Sequence, residues 1–308
     1  MTPNAAGIDY FTNVNIFLTS NTLFIQIYYI KNFLSFKLSL PLHNYLFGIS
    51  LLNPFYNQNF STPFMKLDIL AIAVHPDDVE LSCSGTLIKH IREYNHKVGI
   101  VDLTHGELGT RGTPNLRKQE ATNAAAIMGI HYRKILELQD GFFENNEASL
   151  RPVIEQIRLT QPQIVITNAL QDRHPDHPRA CKLVADACFL SGLRRIETTY
   201  NGQTQTPWRP NQIFHSIQFY YQKPDFVVDI TPYMNTKREA ILAYKSQFYD
   251  QSSTEPETLI TSKSFLNYIE ARAAEMGSII ETEFAEGFNV SKPIEIKNLM
   301  DLVQKLSQ

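Results

Sequence analysis

Short apolar runs that alternate with amphipathic stretches limit what this chain can fold into. The first run, Leu67 to Val74, is apolar at almost every position, which is typical of a strand buried on both faces of a parallel sheet. The next stretch, Glu80 to Tyr94, carries its apolar residues at helical spacing. Because the alternation recurs as far as Leu190, we predict βα repetition and an α/β fold.

The arrangement expected from this repetition is a Rossmann-like, doubly wound and mostly parallel sheet between two layers of helices, a three-layer αβα architecture. Beyond Thr199 the rhythm changes, and strands and helices no longer alternate regularly. The predicted strands are 67–74, 97–103, 135–138, 163–167, 216–221 and 226–230, and the predicted helices are 80–94, 115–128, 146–161, 178–190, 234–246 and 264–277.

Residues 1–64 differ sharply in composition from the rest of the chain, since their only charged residues are Asp9, Lys31 and Lys37. Polar residues interrupt every window of the roughly 20 apolar residues that a transmembrane helix needs. A secretory signal with a charged start and a small-residue cleavage site is not present either. We therefore expect 65–308 to be the functional domain, and 1–64 to be a non-native extension from a mistaken start assignment or a disordered segment. A membrane-peripheral extension is the alternative.

Charge and cysteine content exclude several classes of partner. The 308-residue chain has a formal net charge of −3 and no block of Lys or Arg, so no nucleic-acid or anionic-membrane surface is expected. Cys83, Cys181 and Cys188 are too few for a secreted disulfide framework and lack the Cys-x-x-Cys spacing of a thiolate metal site. We therefore expect a cytoplasmic protein that acts on a small molecule.

Two short motifs carry the residues suited to chemistry. His75-Pro-Asp-Asp78 follows the first predicted strand, and Asp172-Arg-His-Pro-Asp-His177 follows the fourth. In a doubly wound sheet of order 3-2-1-4-5 these two strands are neighbours at the point where the winding reverses, and ligands bind at that point. The two motifs are therefore expected to meet in one crevice.

The residue types in these motifs suit a metal-dependent hydrolase. Two imidazoles and one carboxylate, with a position left open, form a catalytic zinc site, and a divalent metal lowers the pKa of water enough to generate a nucleophile at neutral pH. His75, Asp78 and His177 supply such a set, while Asp77 and His174 remain as a flanking acid and base. Spacing alone does not decide between Asp77 and Asp78 as the ligand, and the same set also suits ferrous iron.

The motifs resemble the LmbE/PIG-L family of zinc-dependent N-acetylglucosamine deacetylases, and within it the BshB-type enzymes of bacillithiol biosynthesis. The resemblance covers the chain from Met65 onward and implies the LmbE-like version of the predicted fold. The matching runs are Val74–Glu80, Arg173–His177, Val98–Thr104, Gly106–Thr113, Leu116–Glu120, Lys223–Ile230, Ala243–Phe248 and Ala285–Phe288.

This resemblance implies a role for each residue of the two motifs. The implied zinc ligands are His75, Asp78 and His177. Asp77 is the implied general base that takes a proton from the attacking water, and His174 would stabilise the oxyanion or protonate the leaving amine. Asp176 is expected to orient the ring of His174 and to favour its charged form. Relatives also suggest a homo-oligomer, a trimer or hexamer.

The resemblance further implies residues that bind substrate. Arg117, in Leu-Arg-x-x-Glu, matches the position at which the family clamps its substrate, and Arg173 and Arg111 are further candidates. Guanidinium groups pair with carboxylates in a two-toothed fork, and N-acetylglucosaminyl malate, the bacillithiol precursor, has two carboxylates. Asp140 corresponds to a position near the sugar hydroxyls, and Glu107 lies in a loop expected to cover the site.

One departure from the family concerns the oxyanion. Phe265 stands where some relatives carry a tyrosine that assists there. Oxyanion stabilisation is then left to His174 and the metal, unless Tyr268, one turn away, reaches into the site.

Two other functions compete with hydrolysis. A nicotinamide or flavin site requires Gly-x-Gly-x-x-Gly in the first turn, whereas the carboxylates of the turn after Val74 would repel phosphate. A non-catalytic metal-binding protein would not need Asp77 and His174. Within the hydrolase class, a deacetylase or amidase for another small N-acetylglucosamine or thiol conjugate is the alternative.

Overall fold

The structure, a computed structural model, describes residues 13–19, 22–28, 35–41, 65–248 and 254–303, with the first three stretches described as backbone only. The chain divides into two units, Met1–Pro63 and Phe64–Gln308. In the first unit, β1 (Asn13–Thr19), β2 (Thr22–Tyr28) and β3 (Ser35–Pro41) pair in that order as an antiparallel sheet. The expectation about the origin of residues 1–64 falls largely outside the described residues and stays a prediction.

The second unit is built on a seven-stranded sheet of order β11-β12-β10-β7-β4-β5-β6. Strands β6, β5, β4, β7 and β10 run parallel, and β12 runs antiparallel to both β10 and β11. The strands are β4 (Ile69–Ala73), β5 (Val98–Asp102), β6 (Tyr132–Ile135), β7 (Ile164–Thr167), β10 (Gln212–Ser216), β11 (Phe226–Asp229) and β12 (Ala285–Val290), with a separate hairpin of β8 (Thr199–Tyr200) and β9 (Gln203–Thr204).

Helices cover both faces of this sheet. They are α1 (Asp78–Ser82), α2 (Ser84–Tyr94), α3 (Pro114–Met128), α4 (Glu147–Thr160), α5 (Asp176–Leu190), α6 (Met234–Leu242) and α7 (Lys263–Ser278), with 3-10 turns at Thr231–Tyr233 and Leu299–Leu302. None of the helices in the described part of the chain is long and apolar enough to cross a membrane.

Alternation along β4 divides the core into two layers. Ile69, Ala71 and Ala73 pack with apolar residues of α2, α3, α6 and α7, whereas Leu70 and Ile72 pack with α4 and α5 on the other face. All five residues of β4 are buried, because helices cover the central strand on both faces. The three-layer, mostly parallel α/β fold expected from the sequence is confirmed.

Three predicted elements were placed wrongly, and a fourth, the helix predicted over 234–246, ends at Leu242. The strand predicted at 135–138 lies at Tyr132–Ile135, and the one predicted at 216–221 lies at Gln212–Ser216. The strand β6 is an edge strand with three partly buried residues and one exposed residue, Lys134. Since β10 carries polar residues as well, neither strand shows a continuous apolar run. The helix predicted over 80–94 is two helices, because Cys83, at φ −142° and ψ 13°, interrupts it.

Candidate active site

The first motif forms the turn from β4 into α1. Its Asp77 adopts φ 120° and ψ −24°, a backbone conformation that residues with a side chain rarely adopt. Such a residue costs about 1–3 kcal/mol and persists only where its surroundings fix it, most often at a functional site. Asp77 is buried and lines a cavity at the carboxyl end of β4.

The second motif lies beside the first, since β4 and β7 pair directly in parallel register. The ring centroids of His75 and His174 are 4.8 Å apart, those of His174 and His177 are 5.2 Å apart, and those of His75 and His177 are 5.8 Å apart. The structure therefore brings both motifs into one crevice, as the strand order predicted.

The carboxylate of Asp78 contacts two of these imidazoles. Its Oδ2 lies 3.4 Å from Nδ1 of His75, and its Oδ1 lies 3.2 Å from Nε2 of His177. In the described part of the chain, ligand atoms of His75, His174 and His177 also lie within 4.8 Å of one another, as do those of a second group, His75 with Asp140 and Asp176. Buried imidazole nitrogens and carboxylate oxygens are the donors that a divalent transition metal takes. The residues fit a metal site.

Despite burial, the carboxylates of this cluster raise the pKa of two of its histidines, His75 and His177. Burial lowers the pKa of His75, but the carboxylates of Asp140 and Asp78 raise it to about 9. Burial also lowers the pKa of His177, but the carboxylates of Asp78 and Asp172 raise it to about 10. The pKa of Asp78 is held well below its usual value, against the effect of burial, chiefly by His177. A bound metal would have to displace the protons of both histidines.

Asp77 lies against a buried guanidinium. Arg117 Nη2 is 3.0 Å from Oδ2 of Asp77 and donates to the carbonyl of Pro76 at 2.5 Å, while Nη1 donates to the carbonyl of Gly106 at 3.2 Å. Burial raises the pKa of Asp77 to about 7, although Arg117 acts in the opposite direction. Arg117, expected from the resemblance to bind substrate, is thus tied to Asp77 and to the turn that carries it.

Comparison with known proteins identifies the family of this chain. The family model described as GlcNAc-PI de-N-acetylase (PIG-L) matches residues 70–188, which include both motifs. A probable N-acetyl-α-D-glucosaminyl L-malate deacetylase 2 of Bacillus subtilis is 30% identical over 200 residues, covering 59% of this chain and 84% of the relative. The chain belongs to the PIG-L family of deacetylases.

Two further relatives are similar to this chain over most of their own length. The diacetylchitobiose deacetylase of Thermococcus kodakarensis is 28% identical over 219 residues, covering 63% of this chain and 79% of the relative. The crystal structure of the conserved protein TT1542 from Thermus thermophilus is 30% identical, with a TM-score of 0.66 over 75% of this chain and 97% of that chain. The resemblance inferred from the motifs is therefore confirmed at the level of the family.

In this PIG-L chain, the orientation of His174 comes from the backbone. The N–H of Asp176 donates to Nδ1 of His174 at 3.3 Å, whereas the Asp176 carboxylate accepts from Gly141 N–H at 2.8 Å and from Arg179 Nη1 at 2.5 Å. Burial, followed by the charges of His75 and His177, lowers the pKa of His174. The structure thus does not favour the charged form of His174 that the sequence led us to expect.

Two further residues predicted to bind substrate, Asp140 and Glu107, are engaged within the protein. Asp140 Oδ1 lies 2.8 Å from Nε2 of His75, and its Oδ2 accepts from the N–H of Leu108 at 3.0 Å. Glu107 is exposed, and its carboxylate accepts from the N–H of Asp140 at 2.8 Å. Asp140 is therefore a partner of His75, and Glu107 supports the main chain of Asp140.

The two remaining arginines predicted to bind substrate line the cavity without a carboxylate partner in the described part of the chain. Arg111 is buried and donates to the carbonyls of Pro256 and Glu255 at 2.8 and 2.9 Å. Arg173 is exposed and lies 5.2 Å from the ring centroid of Phe219. Neither positive charge is neutralised by these contacts.

The cavity of this PIG-L site has a volume of about 300 Å³ and is lined by both polar and apolar residues. Four of the apolar residues lie on α7 or just before it, namely Leu259, Ile260, Phe265 and Ile269. Tyr268 is 52% exposed and does not line the cavity, so in the structure it does not take the place of the tyrosine that Phe265 replaces.

Three residues of the site carried no role in the sequence analysis. Asp172 Oδ1 lies 3.4 Å from Nδ1 of His177, and the amide of Asn168 lies 3.4 Å from Oδ2 of Asp78. Gln218 donates to Oδ1 of Asp78 at 2.8 Å. Asp172 belongs to the second motif and Asn168 directly follows β7. Their places after a predicted strand could have indicated a role in the site. Gln218 fell inside a wrongly placed strand.

Proposed function

We propose that this protein is a metal-dependent hydrolase that removes the acetyl group from an N-acetylglucosamine conjugate, with N-acetylglucosaminyl malate of bacillithiol biosynthesis as the substrate. The observation that carries the proposal is the convergence of His75, His174 and His177 with Asp77 and Asp78 at one cavity of a PIG-L family chain. The 30% identity to the probable malate deacetylase of Bacillus subtilis supports the choice of substrate.

The proposed metal ligands are His75, Asp78 and His177. Two imidazoles and a carboxylate suit Zn²⁺, and they also suit Fe²⁺. When bound, the metal would acidify water and polarise the acetamide carbonyl. The contacts of Asp78 with both histidines support this ligand set over one containing Asp77, whose carboxylate contacts Arg117 instead.

Asp77 is the proposed general base. Its carboxylate lines the cavity and is held on one side by Arg117, and the strained backbone of the turn fixes its direction. A carboxylate fixed in this way can accept a proton from the attacking water without reorganising.

His174 is the proposed hydrogen-bond donor to the oxyanion. Its Nδ1 accepts the N–H of Asp176, so the proton of the neutral ring is on Nε2. Cleavage of the acetamide C–N bond by water gives acetate and a free amine, and the leaving nitrogen must gain a proton. His174 lines the cavity, and its Nε2–H can donate a hydrogen bond to the oxyanion. The proton for the leaving nitrogen would then come from Asp77, which has taken it from the attacking water.

Arg111 and Arg173 are the proposed anchors for the aglycone. Both line the cavity, and in the described residues neither guanidinium contacts a carboxylate. Carboxylates are the partners that guanidinium groups bind most strongly. A conjugate with two carboxylates, such as the malate conjugate, therefore matches these two guanidinium groups.

Arg173→Gln is expected to raise KM for N-acetylglucosaminyl malate about 10- to 100-fold, because a hydrogen bond to a charged group contributes about 1.5–3 kcal/mol. Steady-state kinetics should show KM for free N-acetylglucosamine unchanged. Arg209→Gln is the matched control, since Arg209 also lies over a phenylalanine, 4.2 Å from the ring centroid of Phe189, but does not line the cavity. An equal loss with both substrates would contradict a role in carboxylate binding.

The proposed function is tested by measuring acetate release from a substrate panel of N-acetylglucosaminyl malate, free N-acetylglucosamine and diacetylchitobiose. We expect the malate conjugate to give the highest kcat/KM, EDTA to abolish release, and added Zn²⁺ to restore it. Preference for either of the other two substrates would remove the malate assignment while keeping the deacetylase. Release of no acetate from any substrate by the metal-loaded protein would overturn the proposed function.

A further inference from the structure

The short segment Gln218–Phe219, which is separated from the end of β10 by Ile217, is held by residues from three separate parts of the fold. The N–H of Phe219 donates to Oδ2 of Asp172 at 3.0 Å, and the carbonyl of Phe219 accepts from Arg272 on α7. The side-chain amide of Gln218 donates to Oδ1 of Asp78 at 2.8 Å. This segment therefore connects the first motif, the second motif and α7.

Asp78 receives few strong donors besides this amide. The N–H of His75 donates to Oδ2 at 2.9 Å, and the amide of Asn168 lies at a longer distance of 3.4 Å from the same oxygen. On Oδ1, Gln218 is the only neutral side-chain donor among the described residues, and the other contact is Nε2 of His177 at 3.2 Å. Gln218 thus fixes the oxygen that faces His177.

The orientation of the Gln218 amide follows from its partner. Asp78 has a carboxylate oxygen at the contact, so a flipped amide would place two acceptors against each other. With the amide nitrogen on Asp78, Oε1 of Gln218 is buried and has no hydrogen-bond partner among the described residues. A buried acceptor without a partner is unfavourable. Packing alone therefore does not explain an amide at this position, which is 9% exposed.

We propose that Gln218 is a positioning residue for the metal centre, which orients the carboxylate of Asp78 toward the space between His75 and His177. This inference rests on the proposed function, because it takes Asp78 as a metal ligand. Groups that hydrogen-bond to a metal ligand fix its orientation, and their loss typically weakens metal binding. Gln218 would act through Asp78 and would not touch the reacting atoms.

The test is the dissociation constant for Zn²⁺, measured on the full chain by competition with a chromophoric chelator. Gln218→Met keeps the size of the side chain but removes the donor, and we expect it to raise the dissociation constant about 10- to 100-fold. Gln218→Asn retains an amide that is too short to reach Asp78, and the same loss is expected. Gln222→Met is the control, since Gln222 lies in the same connection and donates to the carbonyl of Gln171.

The outcomes separate this inference from the proposed function. Circular dichroism and Tm establish that each variant is folded, and a purely structural role would lower Tm without changing Zn²⁺ affinity. If the wild type binds Zn²⁺ and either folded Gln218 variant binds it equally well, the inference is overturned while the proposed function stands. A wild type that binds neither Zn²⁺ nor Fe²⁺ would overturn both.

Discussion

Asp77→Asn is expected to bind Zn²⁺ as the wild type does and to lose about 10²- to 10⁴-fold in kcat, the contribution typical of a positioned general base. Asparagine has nearly the same shape, keeps an oxygen for Arg117, and tolerates positive φ better than most residues. The loss should therefore reflect the missing proton acceptor. Acetate release under saturating substrate gives kcat, and the metal content of the purified variant gives occupancy.

A matched substitution elsewhere controls for the loss of one negative charge. Asp186 pairs with Lys182 on α5 and does not line the cavity, so Asp186→Asn should leave kcat unchanged. Wild-type turnover in Asp77→Asn would remove Asp77 from the mechanism. Loss of metal in that variant would instead identify Asp77 as a ligand, the alternative that spacing alone left open.

Arg133→Met is expected to lower the free energy of unfolding by about 3–5 kcal/mol, because it leaves buried carboxylates without their cation. Arg133 Nη1 lies 2.5 Å from Glu80 Oε1, and Nε and Nη2 donate to the two oxygens of Asp102 at 2.8 and 2.9 Å. Both carboxylate side chains are fully buried. Urea unfolding followed by circular dichroism measures the change.

The same variant should regain part of its stability in acid. Burial raises the pKa of Asp102 already in the wild type, although Arg133 acts in the opposite direction. Without Arg133 the pKa should rise further above its unfolded value, so the native state binds the proton more tightly than the unfolded state does. The destabilisation is then largest above the folded pKa and shrinks as the pH falls.

The control for this prediction is Arg151→Met. Arg151 pairs with Glu147 on the exposed face of α4, and such a pair contributes at most about 1 kcal/mol. A loss of stability in Arg133→Met no larger than that of the control would contradict the importance of the buried network.

The central part of the fold could be predicted because β4, β5 and β7 are covered by helices on both faces. Burial on both faces requires a continuous apolar run, and that run identifies a parallel strand. The antiparallel side of the sheet was predicted only in part, since the strand expected at 226–230 is β11 (Phe226–Asp229), whereas β12 gave no such signal. Its β12 contains a polar residue, Glu286, which is buried in an ion pair with Lys237, and no local pattern indicates that pairing.

The candidate site could be predicted as a location but not as a set of contacts. The position of two motifs after neighbouring strands was sufficient to bring His75 and His177 together. Which groups hold these residues depends on loops that are remote in sequence. The contacts of Asp140 with His75 and of Gln218 with Asp78 join segments that have no regular spacing along the chain.

The unusual backbone at Asp77 has a consequence for directed evolution of this protein. Glycine adopts positive φ without the steric penalty that a side chain incurs, so replacing Asp77 by glycine would relieve strain, but it would also leave the buried guanidinium of Arg117 without its carboxylate. A library screened for heat resistance alone would therefore lose this strain only in clones that change both residues together. Selection for a more robust catalyst must score product formation in every round, because such clones lack the carboxylate proposed as the base.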